Sequence, residues 1–320
     1  MKFFKLIAGT VLTIALATAH AEQYPSKPIK LVLGGPPGAL SDITARTVAK
    51  KLSENLKQPI IIDNKPGAGN ALAASYVARS APDGYTLLLV ADSAMTMNPF
   101  VLKDLQYDPL KDFAPVAIVG KVTSLLLVSP NAGIKNLNEF VSLVKSNPGK
   151  YNYASGGVGS PQHINMEIFL AKADLKMVHV PYKGTSAILP DLMVGKDIVA
   201  GLNGVGESLS LIKSGKLAVI ATIGPQGKEF FPNVPDINTV SKDLNFSGWF
   251  GVFAPAGTPV EVLDQLNKEI NRALADDAVS KQLHEVGVIK YTGPRSDAET
   301  ALQRDYVKYG KIINKLNLKD

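Results

Sequence analysis

Residues 29–56 read Ile29-Lys30-Leu31-Val32-Leu33, then Gly34-Gly35-Pro36-Pro37-Gly38-Ala39-Leu40, then a segment from Ser41 to Leu56. The first five form a short apolar run of the kind that makes a buried strand. The last segment places Ile43, Val48, Ala49, Leu52 and Leu56 on one helical face, with Ser41 or Asp42 available as its cap. The Gly/Pro loop between them opens backbone N–H groups at the positive end of a helix dipole. Such a place receives an anion without a charged side chain. Taken alone, the stretch is equally an ordinary turn between a strand and a helix, so its meaning depends on the rest of the chain.

Outward from it, strands alternate with amphipathic helices, which predicts α/β layers with parallel sheets. Ile60 to Ile62 is a strand closed by Asp63 to Asn70, and Ala71 to Arg79 is a helix. Thr86 to Val90 is a strand that ends in Ala91-Asp92-Ser93-Ala94. Val116 to Val119 and Leu125 to Ser129 follow as strands, then a helix from Leu137 to Ser146. A second series begins at Tyr151 to Ala154 and its loop Ser155 to Ser160, with Pro161 at the first turn of a helix. Met177 to Val180 leads to Pro181 to Thr185 and a helix from Ser186 to Val194. Ile198 to Leu202 leads to Asn203-Gly204-Val205-Gly206. Ala218 to Thr222 and Phe250 to Ala254 are late strands, and from Pro259 the chain is largely helical. Five glycine-bearing loops, at Pro37–Ala39, Gly67–Asn70, Ser155–Ser160, Lys183–Thr185 and Asn203–Gly206, follow a strand and precede a helix. In parallel sheets that position lies at the ligand-binding edge, which predicts a cleft with two walls.

The chain begins with Lys2 and Lys5, an apolar run from Leu6 to Thr18, and the small-x-small triplet Ala19-His20-Ala21. This is the pattern of a secretory signal peptide cleaved after Ala21, so the expectation is a soluble, exported protein. The absence of cysteine suits an oxidising compartment and makes a zinc cluster unexpected. The formal charge is +6, of which Lys2 and Lys5 carry two units, and the cations are scattered. Nucleic acid is therefore not an expected partner, whereas a mild positive field suits small anions.

Catalytic motifs are mostly missing. The pairs Gly67/Gly69, Gly157/Gly159 and Gly204/Gly206 lack the third glycine of the dinucleotide fingerprint. Neither a phosphate-binding G-x-x-x-x-G-K-[ST] nor a G-x-S-x-G elbow occurs. His163, one turn into its helix, either donates to a ligand carboxylate or braces the Ser155–Ser160 loop, and His179 within a strand reads as structural. Ser160 with His163 makes a conceivable nucleophile pair, but it has no evident orienting acid.

Several stretches together resemble a known family. They are Lys27-Pro28-Ile29, Pro37-Gly38 with Asp42 and Ala45-Arg46, Asn64 to Gly69, Ala81 to Leu87, Tyr153 to Gly156 through His163, His179 to Gly184, and Ala254 to Pro259. The chain is similar across its mature length to the Bug-type extracytoplasmic solute receptors, the periplasmic binding components of tripartite tricarboxylate transporters. The resemblance implies a two-lobed α/β periplasmic-binding-protein fold that clamps a small carboxylate, without catalysis, metal or cofactor. The implied lobes are residues 22–123 with 247–320, and residues 124–246, hinged on crossing strands near Thr123–Ser124 and Asn245–Ser247. It further implies a monomer that hands its ligand to membrane permease subunits.

The site residues it implies are Pro37, Gly38, Ala39, Ser41, Gly67, Ala68, Gly69, Asn70 and Ser93 on one side. On the other are Ser155, Val158, Gly159, Ser160, His163, Thr185 and Asn203. One carboxylate would rest on amides of the Gly38–Ala39 and Gly67–Asn70 loops, and Lys183 is the one cation in the five loops. The chain departs from the family pattern at Ala39, Asn70, Gly35 and Asn203, the last where many relatives have Asp. An open space beside Gly35 and a neutral donor at Asn203 point to a bulkier acid, a dicarboxylate or an aromatic carboxylate. Two other readings stay open: a periplasmic serine hydrolase using Ser160 or Ser155 with His163, and a receptor that signals to a membrane kinase.

Overall fold

The computed structural model describes residues 24–316 apart from 225, 243, 245–247 and the side chain at 186. The expected leader, residues 1–21, and the second hinge segment, Asn245–Ser247, lie outside the described residues.

Two sheets organise the chain. The strands are β1 (Ile29–Leu33), β2 (Ile60–Asn64), β3 (Thr86–Ala91), β4 (Phe113–Val122), β5 (Ser124–Val128), β6 (Asn152–Ser155), β7 (Val178–Pro181), β8 (Ile198–Gly204), β9 (Ala218–Ile223), β10 (Gly248–Pro255) and β11 (Val288–Lys290). The first sheet has the order β11-β4-β10-β3-β1-β2 and the second β7-β6-β8-β5-β9. β1 lies parallel to β2 and β3, and β6 lies parallel to β7 and β8. The sheets are nevertheless mixed rather than wholly parallel. β10 runs antiparallel to β3 and β4, and β5 runs antiparallel to β8 and β9. β11 also runs antiparallel, to β4. β5 and β10 follow the chain's passages from one sheet to the other, and a strand arriving by that route enters against the grain. The outward passage is as short as it can be: β4 ends at Val122, β5 begins at Ser124, and Thr123 between them is fully buried.

The helices are α1 (Leu40–Leu56), α2 (Ala71–Ala78), α3 (Asp92–Thr96), α4 (Asn98–Val101), α5 (Leu137–Ser146), α6 (Pro161–Lys172), α7 (Leu189–Val194), α8 (Val205–Lys213), α9 (Gly227–Phe230), α10 (Val260–Leu274), α11 (Asp277–Glu285) and α12 (Arg295–Leu316). Each sheet is covered on both faces, so its strands are near-continuously apolar. Leu31, Leu33, Leu87 and Val252 pack with Val48, Leu52, Leu266 and Ile270 of α1 and α10 on one face of the first sheet. Val32, Leu88 and Phe253 pack with Ala74 and Val77 of α2 and Ala298 and Leu302 of α12 on the other. In the second sheet, Leu126, Val128 and Tyr153 pack with Phe140 and Phe169, while Leu125 and Leu127 pack with Ile188 and Leu192.

Two local expectations for α1 are corrected. Ile43 is not on the buried face but 38% exposed, because the stripe begins at Thr44 and Ala45. Neither Ser41 nor Asp42 caps the helix, which starts earlier, at Leu40, with Ala39 in the capping position and no side-chain cap. The expected loop at Asn203–Gly206 is also absent: β8 runs to Gly204 and α8 begins at Val205. Gly206 serves close packing, since a Cβ there would sit 2.2 Å from the Val286 carbonyl oxygen.

Candidate functional site

A cavity of about 910 Å³ opens where the carboxyl ends of both parallel strand sets meet. One wall comes from the first sheet: Gly34 to Pro36 and Ala39 to Ser41 after β1, Pro66 to Asn70 after β2, and Ala91 to Ser93 after β3. The opposite wall comes from the second sheet: Gly156 and Ser160 to Gln162 after β6, Lys183 to Thr185 after β7, and Gly204 with Glu207 at the end of β8. Met97, Val122, Ser124, Asn165, Gly248, Trp249, Phe250 and Tyr309 complete it.

The first wall is built of backbone. Asp42 sits in the first turn of α1 and folds back to accept the Gly38 N–H at 2.9 Å. The same carboxylate takes Arg46 Nε at 3.0 Å and Asn64 Nδ2 at 3.0 Å. Burial raises its pKa, but these donors outweigh burial and hold Asp42 below the usual carboxylate range. Because Ala39 offers no side-chain cap, the N–H groups of Leu40 and Ser41 find no acceptor among the described residues. Both residues face the cavity at the positive end of a 17-residue helix. After β2, Gly67, Gly69 and Asn70 hold positive φ, as does Ala68 at 46°, and the Asn70 N–H closes the turn on the Gly67 carbonyl at 3.0 Å.

Several expected residues stand elsewhere. Pro37 and Gly38 are exposed and do not line the cavity, and the Gly38 N–H is already spent on Asp42. Ser155, Val158, Gly159, His163 and Asn203 do not line it either. Ser155 is fully buried, with its Oγ 2.6 Å from His179 Nε2. His163 stacks on His179 with ring centres 3.9 Å apart, and its Nδ1 accepts the Gly159 N–H at 3.1 Å. His163 therefore braces the loop. Burial lowers its pKa, and His179 is pushed down to about 4 by burial and by the neighbouring His163. Ser160 Oγ accepts the His163 backbone N–H as the cap of α6 rather than meeting its ring. Asn203 uses Oδ1 on the Gly204 N–H. The space expected beside Gly35 is filled, since a Cβ there would lie 2.2 Å from Ser41 Oγ. Of the expected set, Ala39, Ser41, Gly67, Ala68, Gly69, Asn70, Ser93, Ser160 and Thr185 do line the cavity.

Sequence reading missed the side chains that give the cavity its chemistry. Asp92 lines it from the start of α3, directly after β3, and is 5% exposed; burial and Asp305 push its pKa up to about 7, against the backbone N–H groups of Trp249 and Ser93. Glu207 lines it from the first turn of α8, with Thr185 Oγ1 donating to Oε1 at 3.0 Å. Burial raises the Glu207 pKa, opposed only by that hydrogen bond. Asn165 is 5% exposed and its Oδ1 has no partner. Lys183 is the only cation lining the cavity among the described residues. The signal for Asp92 was its place directly after a strand; Glu207 was hidden behind a loop that is a helix.

No group of three or more metal-ligating side chains occurs among the described residues. Ser160 Oγ caps α6 and the His163 ring is turned to the Gly159 N–H, so no serine–histidine pair lines the cavity among the described residues. Residues 44–318 match the model of the tripartite tricarboxylate transporter family receptor. The chain belongs to that family. A UPF0065 protein of Bordetella pertussis is 32% identical over 322 residues, spanning 99% of each chain. Among solved structures, the periplasmic binding protein BugD is 26% identical with a TM-score of 0.81, covering 93% of this chain and all of that one. R. palustris Rpa4515 with adipate is 27% identical with a TM-score of 0.84, covering 92% and 98%. MatC from Rhodopseudomonas palustris with bound malate is 28% identical with a TM-score of 0.78, covering 91% and 100%. The fold is thus the mixed α/β, two-sheet fold of periplasmic binding proteins, and the family is one of solute-binding receptors, not enzymes. No described helix is long and apolar enough to cross a membrane.

Proposed function

We propose that this receptor captures a small carboxylate in the periplasm, a dicarboxylate or an aromatic carboxylate, and presents it as a monomer to membrane permease subunits for uptake. The observation that carries the reading is the pair of unpartnered N–H groups at Leu40 and Ser41, beside the positive-φ loop Gly67–Asn70. A carboxylate oxygen supplies what those donors lack, and the helix dipole adds to the attraction. Ser93, Ser160 and Thr185 stand on the same cavity as further hydroxyl groups.

The class of acid is supported by different features from those first expected. The space at Gly35 is closed and Asn203 does not line the cavity. Support comes instead from a volume of about 910 Å³, from Trp249, Phe250 and Tyr309 on its lining, and from relatives whose structures hold adipate and malate. The proposed lobes, residues 22–123 with 247–320 and residues 124–246, would close about the Thr123 crossing.

Mass spectrometry of the small molecule released from protein purified without added ligand tests this directly. Calorimetry against dicarboxylates, benzoate-type acids and amino acids then grades the class. A released carboxylate that rebinds is the expected result. Tight binding of aspartate or glutamate, with none of the other acids bound, would overturn the proposed class.

A further inference from the structure

The second wall of the cavity has a chemistry opposite to the first. Where the first offers N–H donors, the second offers Glu207, whose Oε1 already holds the Thr185 hydroxyl hydrogen. Among the described residues its Oε2 receives no hydrogen bond, and the causes of its raised pKa include no Lys or Arg. Asn165, on the same wall, keeps a buried Oδ1 without a partner. Turning that amide end for end would change its own contribution, but Glu207 would still be an acceptor. The charged groups around Glu207 are few. Lys183 lines the cavity from the loop after β7 and is exposed, and Asp92 faces from the opposite wall. His284 and Glu285 belong to the segment that packs on the start of α8 at Val286, and His284 lies 3.9 Å from Glu229. None of these neutralises the Glu207 carboxyl.

We infer that Glu207 sets specificity at the far end of the ligand by accepting a hydrogen bond from it. The inference rests on the reading that the first wall holds a carboxylate. The ligand is then a carboxylate whose second polar end brings a hydrogen. A dicarboxylate satisfies this as its singly ionised form, and an amide or hydroxy acid satisfies it at any pH. A second ionised carboxylate would meet Glu207 as a like charge in a desolvated cavity and would be disfavoured. Binding a dicarboxylate above the pKa of its second carboxyl therefore takes up one proton from solvent, and affinity falls as the pH rises.

The test is calorimetry on ligand-stripped receptor with two matched pairs: succinate with succinamate, and adipate with adipamate. Each pair differs only in replacing the second carboxylate by an amide. At about pH 8 the wild type should prefer the amide of a pair by roughly tenfold or more, and the gap should close toward about pH 5. Glu207→Gln should bind the diacid roughly tenfold more tightly than wild type at the higher pH and lose the preference for the amide. Glu229→Gln, which removes a surface carboxylate outside the cavity, should leave that preference in place. A diacid bound as tightly as its amide by the wild type at the higher pH overturns the inference alone. So does a preference that Glu207→Gln leaves intact or that Glu229→Gln removes. Failure of both pairs to bind to wild type and variants overturns the carboxylate reading as well.

Discussion

At the scale of single residues, Asp92 shows how a binding cavity stores a cost. Its carboxyl is enclosed by Trp249 and Ser93 and stands close to Asp305, which is itself held by Trp249 Nε1 at 2.9 Å and Arg304 Nε at 2.8 Å. Asp305 thus has cationic and N–H donors, whereas among the described residues Asp92 is favoured in its charged form by backbone N–H groups and the Lys308 charge. The Asp92 pKa is raised from 3.8 to about 7, so below the lower value both folded and unfolded chains hold the proton. Between the two values the unfolded chain releases a proton that the folded chain keeps, and stability falls as the pH rises through that window. Asparagine keeps the shape and an oxygen for the Trp249 N–H but does not titrate. Asp92→Asn should therefore match wild type in urea at about pH 4 and exceed it by about 4 kcal/mol at about pH 8. Lower stability of the variant at the higher pH would show that Asp92 has a stabilising partner. None of this was legible in the sequence, because the desolvation of Asp92 depends on β10 and α12, more than a hundred residues away in the chain. His163 was legible as one of two alternatives, and its Nδ1 bond to the Gly159 N–H decides between them.

At the scale of elements, the sequence reading was strongest where one pattern covered a whole segment. The helix at Leu137–Ser146 was expected with those bounds; Asn136 caps it by accepting the Glu139 N–H, and Phe140 and Val144 are buried. The reading failed where glycine was taken as a loop marker. Gly204 and Gly206 sit at the end of a strand and inside a helix, because the latter must let Val286 approach. It also shifted the start of α1 by taking the most polar residues as caps, when Asp42 caps the preceding loop instead. That shift is what leaves the Leu40 and Ser41 amides free, so it bears directly on binding. Leu40 is the first residue of α1, a position where proline is tolerated, and Ala39 is already extended at φ −67° and ψ 160°, as a residue before proline prefers. Leu40→Pro thus deletes one N–H of the anion cradle while sparing the helix. The carboxylate affinity should fall roughly tenfold or more, the value of a hydrogen bond to a charged group. Leu40→Ala, which keeps the N–H, should bind like wild type. Equal binding by the proline variant, with an unchanged melting temperature, would remove this amide from the cradle.

At the scale of the whole molecule, the alternation of strands and helices revealed two strand series, but not what ties them together. The role of α12 was not anticipated. Its amino-terminal half places Ala298, Ala301 and Leu302 in the core under the first sheet, whereas Tyr309 and Ile313 lie in the core of the second sheet with Met97, Val101 and Phe169. Its periodicity shows that a face is buried but cannot say that the face changes partner midway. One helix shared by two cores couples their stabilities, since neither can lose its contacts to α12 without disturbing the other. Wild-type unfolding in urea should therefore be a single transition, with the fluorescence of Trp249, the one tryptophan of the chain, coinciding with far-UV circular dichroism. Ile313 is fully buried, and Ile313→Ala should cost about 3 kcal/mol by leaving a cavity on the second-sheet side. Trp249 belongs to the first-sheet core, so this loss should separate the two probes, with circular dichroism changing first and tryptophan fluorescence later. Two probes that still coincide in the variant, at a lower midpoint, would mean that the crossing strands couple the halves without help from α12. Probes that already separate in the wild type would mean that the halves were never coupled.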